Sequence, residues 1–490
     1  MNQTPEDRRP LAQSRRQGAA DTPLDVIILG AGTAGLAAAR EVRKRTERFV
    51  LINDGPWGTT CARVGCMPSK LLIEAANAFH RRHSFDAFGI RGADALKVDL
   101  PAVLHRVRAL RDQFVDATVR STDGFGEHCI AGRGRLVAPD RVEVDGRRYQ
   151  ARRIVLATGS RPVVPAAWQS FGDRILTTDT LFEQHTLAPR IGIVGLGPIG
   201  IELAQALARL GLSVVGFGSS RTLAGITDEA VDAMLREALQ QEFALHTGSS
   251  AELSEGRQGI EIRNGKVHAV VDQVIAALGR RPDLAGLGLE ALGIPLDARG
   301  MPPVDPATMR IGDLPVFLAG DANGRAALLH EAADEGHIAG INAAGPDLRC
   351  FRRRTPLAIV FCEPNVAIIG KRWSQLDASR TRTGEASFAR QGRARVAQRN
   401  HGLLRVYADA ASARLLGAEL VAPAGEHLAH LIALAIEREL TVHEFLRTPF
   451  YHPVLEEGLR TALRTLAAQF PATGDSDLAA CEGFRSEALD

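Results

Sequence analysis

The chain has 490 residues, 45% of them hydrophobic and 24% charged, with 48 glycines, a composition of soluble α/β proteins rather than of fibrous, disordered or membrane-embedded ones. Opposite charges nearly cancel at a net +2 and no long Lys/Arg run occurs, so neither nucleic acid nor an anionic membrane is expected as a partner. Six cysteines are too sparse for a secreted disulfide framework, no apolar run of about 18 residues is long enough to span a membrane, and no signal peptide precedes the fold, which together predict a reducing, cytoplasmic setting.

At roughly 150 residues per domain the length predicts about three folded units. Residues 1–23 read as a polar, disordered tail. The first ordered signal is the apolar run Asp25–Leu29, followed by Gly30-Ala-Gly32-Thr-Ala-Gly35 and the helix-favouring Leu36–Arg40. Strand, tight turn and helix in this order form a dinucleotide-binding fingerprint. Its glycines permit the turn, let the backbone approach a pyrophosphate and let helix pack on strand, while the helix N-terminus offers amides and a positive dipole to phosphate. A second strand, Arg48–Ile52, follows at the expected distance. Its end, where an acid ordinarily holds the ribose hydroxyls, carries Asn53 and then Asp54, and either side chain can hydrogen-bond a ribose.

Next comes Gly58-Thr-Thr60-Cys61-Ala-Arg63-Val-Gly65-Cys66-Met-Pro68-Ser-Lys70. Two cysteines five apart do not share a face of an ideal helix, so a bridge between them needs a distorted first turn, for which Gly65 gives backbone freedom. A thiol near a helix N-terminus is favoured as the reactive thiolate. Zinc is the competing reading, but its cysteine pairs usually sit two to four residues apart and come with a second pair, absent here. The Cys-x-x-x-x-Cys-x-Pro-Ser-Lys string after such a fingerprint resembles the pyridine nucleotide-disulfide oxidoreductase family, which includes dihydrolipoamide dehydrogenase, glutathione reductase and mercuric reductase. The resemblance implies FAD in the first fold, Cys61 as the thiol that attacks the substrate disulfide, Cys66 as the thiol facing the flavin, and Lys70 paired with Glu202 near it. Thr60 and Gly132 are further FAD contacts by the same resemblance. Arg63 stands where the family usually has Asn; a cation there either lowers the Cys61 pKa, recruits an anionic substrate, or simply faces solvent.

Further along, Ala157-Thr158-Gly159-Ser160-Arg161-Pro162 resembles the segment leaving the FAD domain. The fingerprint then recurs as Ile191–Val194, Gly195-Leu-Gly197-Pro198-Ile199-Gly200 and Ile201-Glu202, predicting a second dinucleotide site for NADH or NADPH. Its second strand, Leu212–Val215, reads as ending in Gly216, where an NAD-selective fold favours a carboxylate. Ser219, Ser220 and Arg221 follow, able to cradle a 2′-phosphate or merely to be solvated, so the two nicotinamides weigh evenly. Ala277-Leu-Gly279-Arg-Arg-Pro282 resembles the return to the FAD domain. In Val316–Asp321, Asp321 resembles the ligand of the FAD ribityl chain, and Leu328-Leu329-His330 resembles the segment over the flavin ring.

From about residue 355 strand-like pieces, Pro356–Phe361 and Gly402–Tyr407, precede a helical stretch at Glu426–Glu439 and resemble the family's dimerisation domain. Near its end Tyr451-His452-Pro453-Val-Leu-Glu456-Glu457 is similar to the family's His-Pro-x-x-x-Glu element, in which His452 exchanges protons with the thiols and Glu457 orients it. An imidazole titrates near the working pH and suits that task, and Pro453 biases His452 away from helical backbone before the helix that carries Glu457. In the family this histidine serves the thiols of the other subunit, which implies a homodimer. Cys129, Cys350, Cys362 and Cys481 read as core or surface thiols.

The expectation is thus an α/β chain with two Rossmann-like dinucleotide-binding domains and a C-terminal α+β dimerisation domain. The FAD domain takes 24–160 and 283–352, the NAD(P) domain 161–282, the dimerisation domain 353–470, and a flexible tail 471–490. The expected activity is an FAD-dependent NAD(P)H:disulfide oxidoreductase, with dihydrolipoamide, free or on a lipoyl domain, as the leading dithiol/disulfide substrate. Glutathione-like or other small disulfides and mercuric ion are alternatives within the class, and a flavoprotein transhydrogenase or quinone reductase is the alternative outside it.

Overall fold

The computed structural model describes residues 23–471; the rest of the two tails read as disordered or flexible, with Cys481, lies outside the described residues. Two compact units emerge. The first takes the described residues up to 75 together with 99–187 and 275–353, and the second takes 76–98, 188–274 and the described residues from 354 onward. Among the described residues no helix is long and apolar enough to cross a membrane.

In the first unit β1 (Leu24–Leu29) pairs in parallel with β2 (Phe49–Asn53) on one side and with a later strand, Arg147–Leu156, on the other. Val26, Ile27, Ile28, Phe49 and Leu51 are fully buried. That is why these strands read as unbroken apolar runs, since a parallel sheet is covered on both faces. Cys129–Ala131 extends the sheet beyond β2, and Val316–Leu318 lies parallel to Ile154–Leu156. The helix α1 (Thr33–Arg43) follows β1 directly and packs against Leu329–Ala344. Ser160–Pro162 and Arg280–Pro282, the two segments expected to link domains, pair with each other antiparallel.

The second unit repeats the dinucleotide plan. Arg190–Val194, Ser213–Gly218 and Ala244–Thr247 form parallel strands, with the helix Pro198–Arg209 after the first. A three-stranded antiparallel sheet, Ala251–Gly256, Gly259–Asn264 and Val267–Val271, follows. The C-terminal part is a five-stranded antiparallel sheet in the order Leu357–Val360, Asn365–Gly370, Leu415–Ala422, Leu403–Asp409, Thr381–Ser387. Gly425–Glu437 and Glu457–Ala467 pack on it over a core that includes Ala367, Leu404, Leu420, Ile432 and Leu463. Two dinucleotide folds and a C-terminal α+β region are therefore present as expected.

The packing of α1 on Leu329–Ala344 depends on glycine. A methyl group added to Gly336 would fall 2.1 Å from the carbonyl oxygen of Ala34, and one added to Gly340 would fall 2.6 Å from that of Ala38. Neither neighbour is a side chain that can swing aside. Gly336→Ala is expected to force the helices apart and to destabilise the first unit by about 1–3 kcal/mol, the usual scale of overpacking in a core. A lowered thermal midpoint is the outcome to measure; an unchanged midpoint would contradict the backbone contact.

Candidate functional site

At the C-terminal ends of β1 and β2 the first fingerprint folds as its glycines require. Gly30 has φ +103° and its N–H donates to the Ile52 carbonyl at 2.7 Å, while a Cβ on Gly30 would sit 2.2 Å from the Ala157 oxygen. A Cβ on Gly35 would lie 1.8 Å from the Gly30 oxygen. Beside Gly32, by contrast, nothing lies within 4 Å, so space stands open where the helix α1 presents its first amides. A cavity lies here, bordered by Gly30, Asn53, Asp54, Gly132 and Thr158.

The Asn53 side chain is engaged by its own loop: Oδ1 accepts from the Ala31 N–H at 2.9 Å and Nδ2 donates to the Gly55 carbonyl at 3.1 Å. Asp54 is exposed beside it, with its Oδ2 3.9 Å from the Arg133 guanidinium. Arg161, paired with Asp283 at 2.7 Å, forms the opposite rim. Arg133 and Asp283 were not singled out from the sequence. Their only signal there is position, Arg133 one residue after Gly132 and Asp283 one after Pro282.

Thr158 also borders this cavity, and its hydroxyl is buried and has no hydrogen-bond partner among the described residues. Gly159, at φ +75°, has nothing within 4 Å of its Cβ position. An orphaned buried hydroxyl on a residue that lines a glycine-cleared cavity fits a phosphate- and ribose-bearing ligand such as FAD. Asp321 follows the strand Val316–Leu318 in a short turn, and its Oδ2 accepts from the Ser160 hydroxyl at 2.7 Å. Ser160 Oγ in turn accepts from Arg280 Nε at 2.8 Å. Leu328 caps the helix that begins at Leu329, and the side chains of Leu329 and His330 are exposed, leaving the first-turn amides as the groups available to a ligand.

The thiol segment is two helices rather than one. α2 (Thr60–Arg63) ends at Val64, and α3 (Cys66–His80) starts two residues later. The expected distortion thus falls between the cysteines. Thr59, at φ +57°, caps α2 by accepting from the Ala62 N–H. A Cβ on Gly65 would come within 3.1 Å of the Thr60 oxygen and 3.3 Å of the Cys61 Cα, so any larger residue would press the break away from Cys61 by a few tenths of an ångström. Cys61 is half-buried, Cys66 is exposed, and the two sulfurs share a hydrogen bond. That bond raises the Cys61 pKa above the ordinary thiol range, burial raises it further, and the Cys66 N–H and, less strongly, the Lys70 ammonium oppose both. A helix-terminus argument alone predicts a thiolate; in the reduced pair the shared hydrogen bond dominates. The Arg63 stem lies beside Gly58.

The remaining predicted residues, Gly279 apart, lie in the second unit. Gly195, at φ +104°, donates to the Phe217 carbonyl at 2.7 Å, and Gly197 has nothing within 4 Å of its Cβ position. Pro198, Ile199 and Gly200 open the helix that carries Glu202. Glu202 is buried and its Oε1 accepts from the Phe361 N–H at 2.9 Å, a partner with no sequence signal. Gly279, at φ +89°, lies in the first unit, again with open space at its Cβ position. One reading is corrected: the second strand of this fold runs on to Gly218, so Gly216 lies inside it. Arg221 is exposed just beyond.

His452 stands before the helix Glu457–Ala467 with its Nδ1 2.9 Å from Glu457 Oε1, and 79% of its side chain is exposed. Glu457 also accepts from the Val454 N–H at 3.2 Å. The hydrogen bond from His452 is the main reason the Glu457 pKa lies below its usual 4.5.

Comparison with known proteins gives two domain matches. Residues 24–336 match the model of the pyridine nucleotide-disulphide oxidoreductase family, and residues 357–463 match that family's dimerisation domain. A dihydrolipoyl dehydrogenase of Thermus scotoductus is 30% identical over 460 residues, spanning 91% of this chain and 98% of that protein. A mercuric reductase of Bacillus cereus is 28% identical, spanning 90% of this chain and 71% of its own length. Among solved structures, LpdA from Mycobacterium tuberculosis superimposes with a TM-score of 0.78 at 27% identity, over 90% of this chain and 98% of that one. The flavoprotein disulfide reductase RclA from Escherichia coli shares the fold, with a TM-score of 0.79 at 21% identity over 91% of this chain and 99% of its own.

The orphaned Thr158 hydroxyl separates ligand binding from folding. Thr158→Val keeps the side-chain shape and removes a buried oxygen that no atom of the described residues satisfies. It is expected to leave the flavin-free protein as stable as before, or slightly more so, while weakening FAD by about 1 kcal/mol, roughly fivefold in Kd. Thermal unfolding of the stripped protein and fluorescence titration with FAD make the comparison; a destabilised stripped protein with unchanged FAD affinity would remove Thr158 from the site.

Proposed function

The chain belongs to the pyridine nucleotide-disulphide oxidoreductase family, a family of FAD-dependent oxidoreductases that act on sulfur groups with NAD(P)H as electron donor, and from that premise we propose the reaction its own residues carry out. The substrate is a dithiol/disulfide, with dihydrolipoamide, free or borne on a lipoyl domain, as the leading candidate. The observation that carries this reading is the Cys61–Cys66 pair, held across a helix break closed tightly at Gly65, with the two sulfurs in hydrogen-bond contact.

Gly30, Gly32, Gly35, Thr158 and Asp321 would hold FAD, which would supply two-electron exchange between the nicotinamide and the thiol pair. The chain's residues handle sulfur and protons. In the reductive direction Cys61, once deprotonated, attacks one sulfur of the substrate disulfide. A mixed disulfide forms, and the departing thiolate takes a proton from the His452 imidazolium. Cys66 then attacks Cys61, the Cys61–Cys66 disulfide closes, and the second substrate thiol leaves. Two electrons pass from the dithiol pair to the substrate, and NAD(P)H restores them. Glu457 holds His452 by its Nδ1, fixing which ring nitrogen faces the sulfur. In a homodimer, built through the dimerisation domain, His452 of one copy serves the thiols of the other. Cysteine usage fits a reducing, cytoplasmic compartment.

The acid limit of this dyad follows from its charges. The Glu457 pKa is depressed, so its contribution is present above the ordinary carboxylate range and is lost only as pH falls through the lower value. Loss of activity between pH 7 and 5 is therefore expected to follow groups other than Glu457. Cys61→Ser is expected to abolish reduction of lipoamide while NAD(P)H still bleaches the flavin. His452→Gln should cost about 10²–10⁴ in disulfide turnover and Glu457→Gln about 10–100-fold, again without slowing flavin reduction. Steady-state rates with lipoamide, oxidised glutathione and Hg(II), beside stopped-flow bleaching, give the readouts. Full lipoamide reduction by Cys61→Ser would overturn the mechanism, and turnover with quinones alone would favour a quinone reductase.

A further inference from the structure

The two dinucleotide folds of this chain can be aligned residue by residue through one shared hydrogen bond. In the first, the Gly30 N–H donates to the Ile52 carbonyl; in the second, the Gly195 N–H donates to the Phe217 carbonyl, each at 2.7 Å. The strand registers agree, with Leu29 opposite Ile52 and Val194 opposite Phe217. The position that follows, where a carboxylate grips the 2′- and 3′-hydroxyls of an NAD ribose, is therefore Asn53 in the first fold and Gly218 in the second.

Gly218 is not an empty slot for an acid. Leu196, the second residue of the fingerprint, packs against this end of the strand: a Cβ on Gly218 would lie 3.3 Å from the Leu196 Cβ, and one on Gly216 would lie 2.8 Å from its Cδ2. No carboxylate stands at the strand end, and none occurs from 216 to 222. Ser219, Ser220 and Arg221 come next, all exposed.

Their backbone is pinned. The Gly248 N–H donates to the carbonyls of Gly218 at 3.0 Å and Ser220 at 3.2 Å, and the Thr222 N–H donates to Ser220 Oγ at 3.3 Å. Arg236 Nη2 donates to the Arg221 carbonyl at 2.7 Å. The acid beside this loop, Asp232, is engaged by Arg236 at 3.1 Å and by the Leu223 N–H at 2.6 Å, which leaves the Arg221 charge unopposed by it. Two exposed hydroxyls and an exposed guanidinium thus stand on a fixed backbone directly after the strand position that would meet the ribose, and a guanidinium matches a phosphate in geometry and charge.

We propose that the second fold selects NADPH over NADH, with Arg221 as the specificity-determining residue for the 2′-phosphate and Ser219 and Ser220 as its hydroxyl partners. The proposal rests on the reading of this fold as the nicotinamide site. The test is calorimetric titration of the FAD-loaded protein with NADP⁺, NAD⁺ and 2′,5′-ADP, for the wild type and for Arg221→Ala, together with anaerobic flavin bleaching by NADPH and NADH. The wild type is expected to bind NADP⁺ at least about tenfold more tightly than NAD⁺ and to bind 2′,5′-ADP, and Arg221→Ala should remove most of that difference by weakening NADP⁺ rather than NAD⁺. Arg221→Lys, which keeps the charge but not the fork, should fall between. Equal or reversed preference in the wild type, or equal weakening of both nucleotides by Arg221→Ala, would overturn the selectivity while leaving the site itself in place. Failure of both nucleotides to bind and to bleach the flavin would overturn the nicotinamide reading and the selectivity with it.

Discussion

Backbone-to-backbone contact through glycine is the constraint on which the first unit is built. Gly30 turns under the Ala157 carbonyl, Gly35 brings α1 onto the Gly30 carbonyl, and Gly336 and Gly340 bring Leu329–Ala344 onto Ala34 and Ala38. At each place the neighbour is main chain, so a side chain could be accommodated only by moving an element. These contacts determine where the first turn of α1 sits relative to β1 and β2, and so where its free amides point. The open space beside Gly32 is the complement of the crowding around Gly30 and Gly35. The same residue type thus makes both the close packing and the clearance a phosphate needs.

Charge performs the corresponding task in the second unit. Asp228, fully buried at the head of the helix Glu229–Gln240, accepts from Arg405 at 2.8 Å and from the Tyr407 hydroxyl at 2.9 Å on the C-terminal sheet. Glu419, also fully buried, accepts from Thr227 Oγ1 at 2.6 Å and from the N–H groups of Thr227, Asp228 and Trp373. Burial pushes the Tyr407 hydroxyl well above its ordinary pKa, with the charges of Glu419 and Asp228 adding to the shift, so it stays a donor. Such a network specifies one register, because a slip would strand buried carboxylates without partners.

What the sequence made legible and what it hid follow from the range of the interactions. The fingerprints at Gly30 and Gly195, the thiol string and the His-Pro element are local: a few consecutive residues carry the chemistry and the turn together. Gly65 was readable for the same reason. The Arg133–Asp54 and Arg161–Asp283 pairs, the Phe361 amide on Glu202 and the Glu419 network join residues far apart in the chain, and no spacing announces them. The misplacement of the strand end at Gly216 has a different cause. Gly216 and Gly218 look like strand terminators, yet both are in-register members of the strand, kept bare of side chains because Leu196 packs against them.

Asp321 illustrates how such long-range contacts finish a site that local motifs only begin. Its turn is fixed from beneath by Glu335, whose Oε2 accepts from the Gly320 N–H at 2.8 Å and from Asn323 Nδ2 at 2.5 Å, while Arg353 approaches its other oxygen at 3.2 Å. Burial raises the Glu335 pKa above the ordinary range, and the Arg353 charge and the two donors work against that shift. The Asp321 carboxylate is oriented from above by the Ser160 hydroxyl, which Arg280 holds in turn. Backbone and side chain are thus aimed independently, one by the helix that carries Glu335, the other by the paired segments Ser160–Pro162 and Arg280–Pro282. A ligand hydroxyl meeting Asp321 finds an acceptor whose rotamer is already set, so little ordering entropy is lost on binding. A buried acid that never reaches the cavity surface is therefore as much a part of this turn's design as the carboxylate it positions.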